Sequence, residues 1–506
     1  MKSLIKFGLK KYASFHLKKW DDSVLYPEKY QAEVFNQLIR EAANTQFGKE
    51  HNFDAIESYE DFCESVPLRS YEELAPYITR IKEGEEDVLY PGKPKYFSVS
   101  SGTTSSVKYI PVTDAFVKTY TKSGLHLLFS YFRQTDNYDM IFGKNMMLQG
   151  SPELEDINGV LAGRMSGVSY HIMPQVLKGN RLPSYETNTI ADWDEKIRTI
   201  AEETSTKNLQ ILGGIPPWIM MYFDYLSAHT KEKLIKDVFP NLKLYIHGGV
   251  NFAPYRQLIF DKIGKEIDTL DTYTASEGFL GFQENLGHPE MTLCSNNGIF
   301  YEFVEVEDYR KNKYPKRLRL SEVQKDTDYL IILNTISGMW GYIIGDLIRF
   351  SDTRPYQFSI TGRLSQYTSL FGEHLIESEV RIVLKAASEQ FNFKTRAFTV
   401  APNLLLETQH SHHEWWIDFV ETPSNLAEIA KMMDEKLGRL NHLYADLING
   451  KVISSLKIIP IQSKGFEKCF MENGKIDGQN KISVLSNNRE LVSQLEKYKD
   501  RVCTVT

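Results

Sequence analysis

Cysteine is scarce in this chain. Cys63, Cys294, Cys469 and Cys503 are scattered over 506 positions, and no two form a C-x-x-C pair. That spacing argues against a zinc site or a disulfide framework and fits a reducing, cytoplasmic setting. Long apolar runs are missing as well: nothing approaches the roughly 20 residues of a membrane-spanning helix. The phosphate-binding pattern G-x-x-x-x-G-K-[ST] is absent. Neither sign of charge dominates. The 59 basic and 66 acidic residues leave a net charge of −7, which gives no reason to expect nucleic acid as a partner. There is no internal repeat and no low-complexity tract.

What is present is globular in character. A hydrophobic fraction of 42% and a charged fraction of 25% belong to a soluble protein, and the length exceeds what one ordinary core accommodates. Two domains, one large and one small, are expected. The first twenty residues interleave Lys2, Lys6, Lys10, Lys11, Lys18 and Lys19 with Leu4, Ile5, Phe7, Leu9, Tyr12, Phe15 and Leu17. The pattern predicts a helix packed on the protein with its lysines in water. The alternative is contact with anionic lipid.

The chain then alternates. Helical spacing covers 27–50 and 115–132, and strands are predicted at 145–149, 209–212, 242–246 and 267–274. Several of these strands end in glycine or small polar residues: Gly213-Gly214, His247-Gly248-Gly249 and Ser276-Glu277-Gly278. Such a pattern predicts an α/β sheet with ligands at the strand ends. From Phe300 to Phe350 the alternation is that of half-exposed strands, a β-rich subdomain. A helix over 375–388, strands at 415–420 and 452–460 and a helix over 426–437 make a small α+β unit. The boundary falls near 364–372, so the domains are predicted as 1–367 and 368–506.

Four segments carry polar chemistry in fixed order. The first runs from Tyr96 through Ser100-Ser101-Gly102-Thr103-Thr104 to Lys108. Gly102 permits a sharp bend and close approach to a ligand. The hydroxyls, the backbone N–H groups and the Lys108 charge form a concave donor set suited to polyphosphate. A plain polar turn is the alternative. The second is Tyr273-Thr274-Ala275-Ser276-Glu277, the third Tyr342-Ile343-Ile344-Gly345-Asp346, and the fourth Gly362-Arg363. A nucleotide requires an acceptor for its ribose hydroxyls, a cation for its phosphates and an acid for Mg²⁺. Asp346, Arg363 or Lys108, and Glu277 meet those needs, although each acid taken alone reads as a buried or capping group.

In order and spacing these segments resemble the signature of adenylate-forming enzymes. The chain resembles more closely the auxin-responsive Gretchen Hagen family of acyl acid amido synthetases, in its bacterial form. Thr45-Gln46-Phe47-Gly48-Lys49, Val66-Pro67, Ile110-Pro111-Val112-Thr113, Ala275-Ser276-Glu277-Gly278-Phe279 and Asp477-Gly478-Gln479-Asn480-Lys481 support this along nearly the whole chain. The resemblance implies a large N-terminal domain that binds ATP and the acyl acid, and a mobile C-terminal domain that supplies a lysine. It implies that Ser100, Ser101, Gly102, Thr103 and Thr104 hold phosphates. Gly248, Gly249 and Val250 lie along adenine, Tyr273 stacks near it beside Ser276, and Glu277 holds Mg²⁺. Asp346 takes the ribose, Arg363 the hinge edge of the site, and Lys481 is the C-terminal lysine. Ile482-Ser483-Val484 depart from the family, which carries Pro and a basic residue there. The implied activity is ATP-dependent: a carboxylic acid is adenylated and its acyl group passed to an amino acid, releasing AMP and pyrophosphate. Neither nucleic acid nor stable membrane insertion is involved. A coenzyme A ligase and a non-catalytic nucleotide-binding protein are the alternatives.

Three further features compete for attention. His442-Leu443-Tyr444-Ala445-Asp446 is an H-x-x-x-D string without a second adjacent histidine. His410, His412 and His413 are expected in a solvated loop before the strand at 415–420, with metal binding as the alternative. Met220, Met221 and Phe223 line an acyl pocket or, at helical spacing, belong to the core.

Overall fold

Eleven strands join in one mixed sheet whose order is Ile299–Glu305, Asp328–Thr335, Tyr342–Thr353, Tyr356–Arg363, Met291–Leu293, Gly278–Phe282, Asp268–Ala275, Leu244–Gly248, Leu209–Gly213, Lys144–Met147 and Arg181–Leu182. The computed structural model describes residues 2–101, 107–173, 178–253, 255–312, 314–364, 367–368, 370–373, 375–404, 411–472, 484–486 and 489–500. Four neighbouring pairs at the Asp268–Ala275 side are parallel. Their strands therefore end on one edge of the sheet, at Met147, Gly213, Gly248 and Ala275. Leu209, Leu212, Leu244 and Tyr245 are buried, as strands covered on both faces require. The β-rich segment is not set apart. Its hairpins are antiparallel and form the other wing of the same sheet.

A second sheet carries the first motif. Tyr96–Ser101 pairs antiparallel with Val107–Val112 and parallel with Val160–Gly163. The chain leaves Val112 through Thr113, whose hydroxyl accepts from Phe116 N at 3.1 Å and caps the helix Asp114–Thr135. On that helix packs the first one, Lys2–Leu25, with Ala13, Leu17 and Trp20 buried beside Leu127 and Phe129. Lys6 and Lys10 pair with Asp139 and Asp136 at 3.1 and 2.9 Å. The first helix packs on the protein, as its pattern suggested.

The last part of the chain builds a three-stranded sheet from Thr395–Asn403, His412–Phe419 and Lys457–Ile461. Alternation in the middle strand decides its two faces. Trp415 and Ile417 join Val380, Val383, Met433 and Leu437 of the helices Glu377–Phe391 and Leu426–Leu440. Trp416 joins Phe466, Val492 and Leu495 on the opposite face. The first of these clusters continues into Trp218, Phe223 and Ile259 of the parallel half, so one core runs through both parts.

The histidines correct an expectation. His412 and His413 open a strand and are buried; neither lies in a solvated loop. His413 Nε2 meets Glu373 Oε1 at 2.8 Å, and both side chains are fully enclosed. His410 lies outside the described residues, among which no three acids, cysteines or histidines form a metal-sized cluster. Met221 and Phe223 are core residues. Asp446 pairs with Arg164 at 2.7 Å.

Candidate active site

Strand register places the first catalytic candidate. Ser100 lies opposite Lys108 in the antiparallel pair Tyr96–Ser101 and Val107–Val112. Lys108 points inward although it is charged, and is only 8% exposed. Its ammonium lies over the Tyr71 ring at 5.4 Å and the Tyr342 ring at 5.9 Å, with Nζ 3.4 Å from the Tyr342 hydroxyl. Burial lowers its pKa, while the nearby Glu277 carboxylate works in the opposite direction. Gly102, Thr103 and Thr104 lie outside the described residues, as does Lys481.

Glu277 sits at the tip of a tight hairpin. Ala275 pairs with Gly278, leaving Ser276 and Glu277 as the two-residue turn. A Cβ at 278 would come within 2.5 Å of Ile299 Cδ1, so any larger residue there requires that side chain to shift. Glu277 is buried, and burial raises its pKa against the pull of Lys108. The Tyr342 hydroxyl donates to it. Lys108, Tyr342 and Glu277 thus form one group drawn from three separate elements.

A second group lies on the adjoining strands. Asp346 faces Arg363 across the hairpin Tyr342–Thr353 and Tyr356–Arg363. Arg363 Nε donates to Asp346 Oδ1, and the Tyr273 hydroxyl donates to Oδ2 at 2.6 Å. Each carboxylate oxygen keeps one further acceptor position, as binding a diol requires. The Tyr273 ring is buried at 6.0 Å from Phe358. Gly248 ends the neighbouring parallel strand, opposite Thr272, and a Cβ there would come within 2.4 Å of Thr272 O. Gly249 follows at φ +77° and turns the chain out over the strand ends, with Val250 buried beyond it.

Beside Glu277 lies a small recess of about 10 Å³, room for about one water. Phe116, Thr119, Tyr120 and Ser123 of the helix Asp114–Thr135 form one wall, and Phe279 and Ile299 stand opposite. Tyr120 meets Phe279 edge to face at 5.6 Å and stacks on Phe116 at 5.5 Å. The aromatic wall gives the surface beside the buried Glu277 an apolar character. Sequence reading missed Tyr71, Tyr342 and this aromatic wall. Tyr342 opens the third motif, but only the fold shows that its hydroxyl reaches both Glu277 and Lys108.

Strand-end glycines beside an ordered set of a lysine, an arginine and two acids define the class, an adenylate-forming type of α/β protein. Family comparison is more specific. The chain matches the GH3 family N-terminal domain over residues 16–187, the GH3 family central domain over 292–363 and the GH3 family C-terminal domain over 378–490. It belongs to the GH3 family. A jasmonoyl–L-amino acid synthetase of Nicotiana attenuata is 20% identical over 80% of this chain and 82% of the relative. An indole-3-acetic acid-amido synthetase of Arabidopsis thaliana is 28% identical over 74% and 81%. Among solved structures, the acyl acid amido synthetase GH3.15 superposes with a TM-score of 0.60 at 18% identity, covering 96% of each chain. A 2-hydroxyisobutyryl-CoA ligase shares the fold at 0.59 and 13% identity, over 95% of this chain and 92% of that one.

Proposed function

We propose that this chain adenylates a carboxylic acid with ATP and passes the acyl group to an amino acid, forming an amide. The observation that carries this is the convergence of Lys108, Glu277 and the Asp346–Arg363 pair from three sequence-distant stretches of a GH3 chain. The GH3 relatives bearing amido synthetase names support the amide product.

Each side chain has a role in this reading. Ser100 to Thr104 and Lys108 receive the phosphates. Gly248, Gly249 and Val250 flank the base beside Tyr273 and Ser276, and Asp346 accepts the ribose hydroxyls. Arg363 holds Asp346 in place. Glu277 is the acid that would hold Mg²⁺, and it fits: it is buried, and burial raises its pKa against the pull of Lys108, so a cation beside it would offset the cost of its charge. The ion, when bound, neutralises phosphate charge. The carboxylate of the acid attacks the α-phosphate of ATP, and pyrophosphate leaves. Lys108 stabilises the charge that develops as pyrophosphate leaves, and Lys481 joins it from the C-terminal part. Such alignment lowers a barrier by about 7–11 kcal/mol in favourable intramolecular cases. The acyl-adenylate then meets a neutral amine, and AMP leaves. We place the domain boundary at 367–368, with residues 368–506 as the unit that moves between the two steps. A cytoplasmic setting completes the reading. No helix among the described residues is long and apolar enough to cross a membrane.

The test is acid-dependent exchange of labelled pyrophosphate into ATP across a panel of carboxylic acids. It is followed by product analysis with the best acid and either amino acids or coenzyme A. Exchange and an amide with AMP release are expected. Folded protein that exchanges with no acid rejects adenylation, and a thioester as the sole product rejects the amide.

A further inference from the structure

The first helix, Lys2–Leu25, is sealed on one side and exposed on the other. Ala13, Leu17 and Trp20 lock it onto the helix Asp114–Thr135 and the sheet, with Trp20 stacked on Phe282 at 4.7 Å. The locked face fixes which residues look outward. At 3.6 residues per turn these are Phe7, Lys11, Phe15, Lys18 and Leu25, flanked by Tyr12 and Lys19. Phe7 is 57% exposed, Phe15 77% and Leu25 63%.

That concentration is unusual for this molecule. Of the thirteen exposed large hydrophobic residues among those described, five fall between Phe7 and Tyr26. At the start of that helix the charge is one-sided, with Lys6 and Lys10 paired to Asp139 and Asp136 and Lys11, Lys18 and Lys19 exposed. The first twenty residues hold six lysines and no acid, in a chain whose net charge is −7. Lys11 Nζ lies 4.7 Å from the Phe7 ring centre, so charge and aromatic surface alternate along one face. The acids that follow are engaged elsewhere: Asp21 pairs with Arg133 at 2.7 Å, and Asp22 accepts from the Tyr30 hydroxyl at 2.6 Å.

We infer that this face docks reversibly on an anionic lipid bilayer, with Phe7 and Phe15 entering the headgroup boundary and the lysines meeting lipid phosphates and carboxylates. Interleaved aromatic and basic residues on a fixed helix face have the chemistry of an interfacial helix. Charge complementarity selects the occupant. A second copy would set lysine against lysine, and a neutral apolar partner would leave the lysines unanswered. Adsorption along one helix face does not require a spanning segment.

The experiment is co-sedimentation of the full chain with vesicles of phosphatidylcholine alone, or of phosphatidylcholine mixed with phosphatidylserine, at low and high salt. Binding to the phosphatidylserine vesicles, weakened by salt, is expected. Two double variants, Phe7→Ser/Phe15→Ser and Lys11→Glu/Lys18→Glu, are each expected to reduce the partition coefficient by roughly tenfold. Circular dichroism and pyrophosphate exchange in vesicle-free buffer should be unchanged, since none of these residues touches the candidate active site. Absence of binding to phosphatidylserine vesicles at low salt overturns the inference, as does equal binding by both folded variants. So does a vesicle-free dimer that Phe7→Ser/Phe15→Ser dissolves, which would assign the face to a second copy. A preference for nucleic acid over these vesicles also overturns it.

Discussion

At the scale of single residues, the Tyr342 hydroxyl is the most informative atom. It donates to the buried Glu277 and lies 3.4 Å from Lys108 Nζ, tying acid and base to one strand. Removing the hydroxyl leaves a buried carboxylate short of a donor, at a cost of about 1–3 kcal/mol. Tyr342→Phe is therefore expected to slow pyrophosphate exchange by roughly ten- to a hundredfold and to raise the Mg²⁺ concentration needed, with the fold intact by circular dichroism. An exchange rate and Mg²⁺ dependence like those of the parent protein would show that the hydroxyl positions neither group.

At the scale of elements, a buried ion pair joins the N-terminal helices to the antiparallel wing. Glu302 is fully enclosed and takes Arg317 Nη2 at 2.7 Å, the Tyr59 hydroxyl at 2.8 Å and Asn334 Nδ2 at 2.8 Å. Arg317 also donates to Val66 O, which closes the link. Removing one partner strands a buried charge. Arg317→Leu is expected to lose about 3–5 kcal/mol of stability, read by urea unfolding. A loss no larger than a surface substitution causes would mean that the pair does not hold these elements together. The packing of the first helix on Asp114–Thr135 predicts a pH effect. His126 is buried beside Lys122, His16 and Lys19, and burial first, then these charges, pushes its pKa down to about 3. Between about 3 and the ordinary 6.5 the unfolded chain binds the proton and the folded one does not. Stability therefore falls as pH falls through that window. Replacing His126 with Gln is expected to flatten the slope there in unfolding measured at a series of pH values. Parallel slopes for the two proteins would contradict the assignment.

At the scale of the molecule, the continuous second core couples the parallel half to the last part of the chain. Gly450 marks the contact: a Cβ there would lie 2.3 Å from Trp193 Cδ1 and Nε1. Trp193 in turn packs on Trp218 with ring centres 4.8 Å apart. Nearby Lys451 pairs with Asp194 at 2.5 Å and Arg164 with Asp446 at 2.7 Å, but each pair is partly exposed and contributes little. Apolar packing therefore holds the two parts together. Gly450→Ala is expected to force them apart and to split one calorimetric unfolding transition into two, the first at lower temperature. A single, unshifted transition would mean that the contact does not couple them.

By itself the sequence determined the alternation of parallel strands and helices. Buried apolar runs such as Leu209–Leu212 have a period and glycine ends that admit few other readings. It also determined the order of the polar motifs, because strand ends are where short glycine and acid patterns gather. The tertiary structure alone decided that the β-rich segment extends the main sheet, since strand order depends on edges far apart in the chain. It alone decided that His412 and His413 are buried, because burial depends on what packs above them. The same holds for Tyr342, more than two hundred residues from the Lys108 it reaches. Local pattern records which face of a strand is apolar. Only the folded chain records which distant group that face meets.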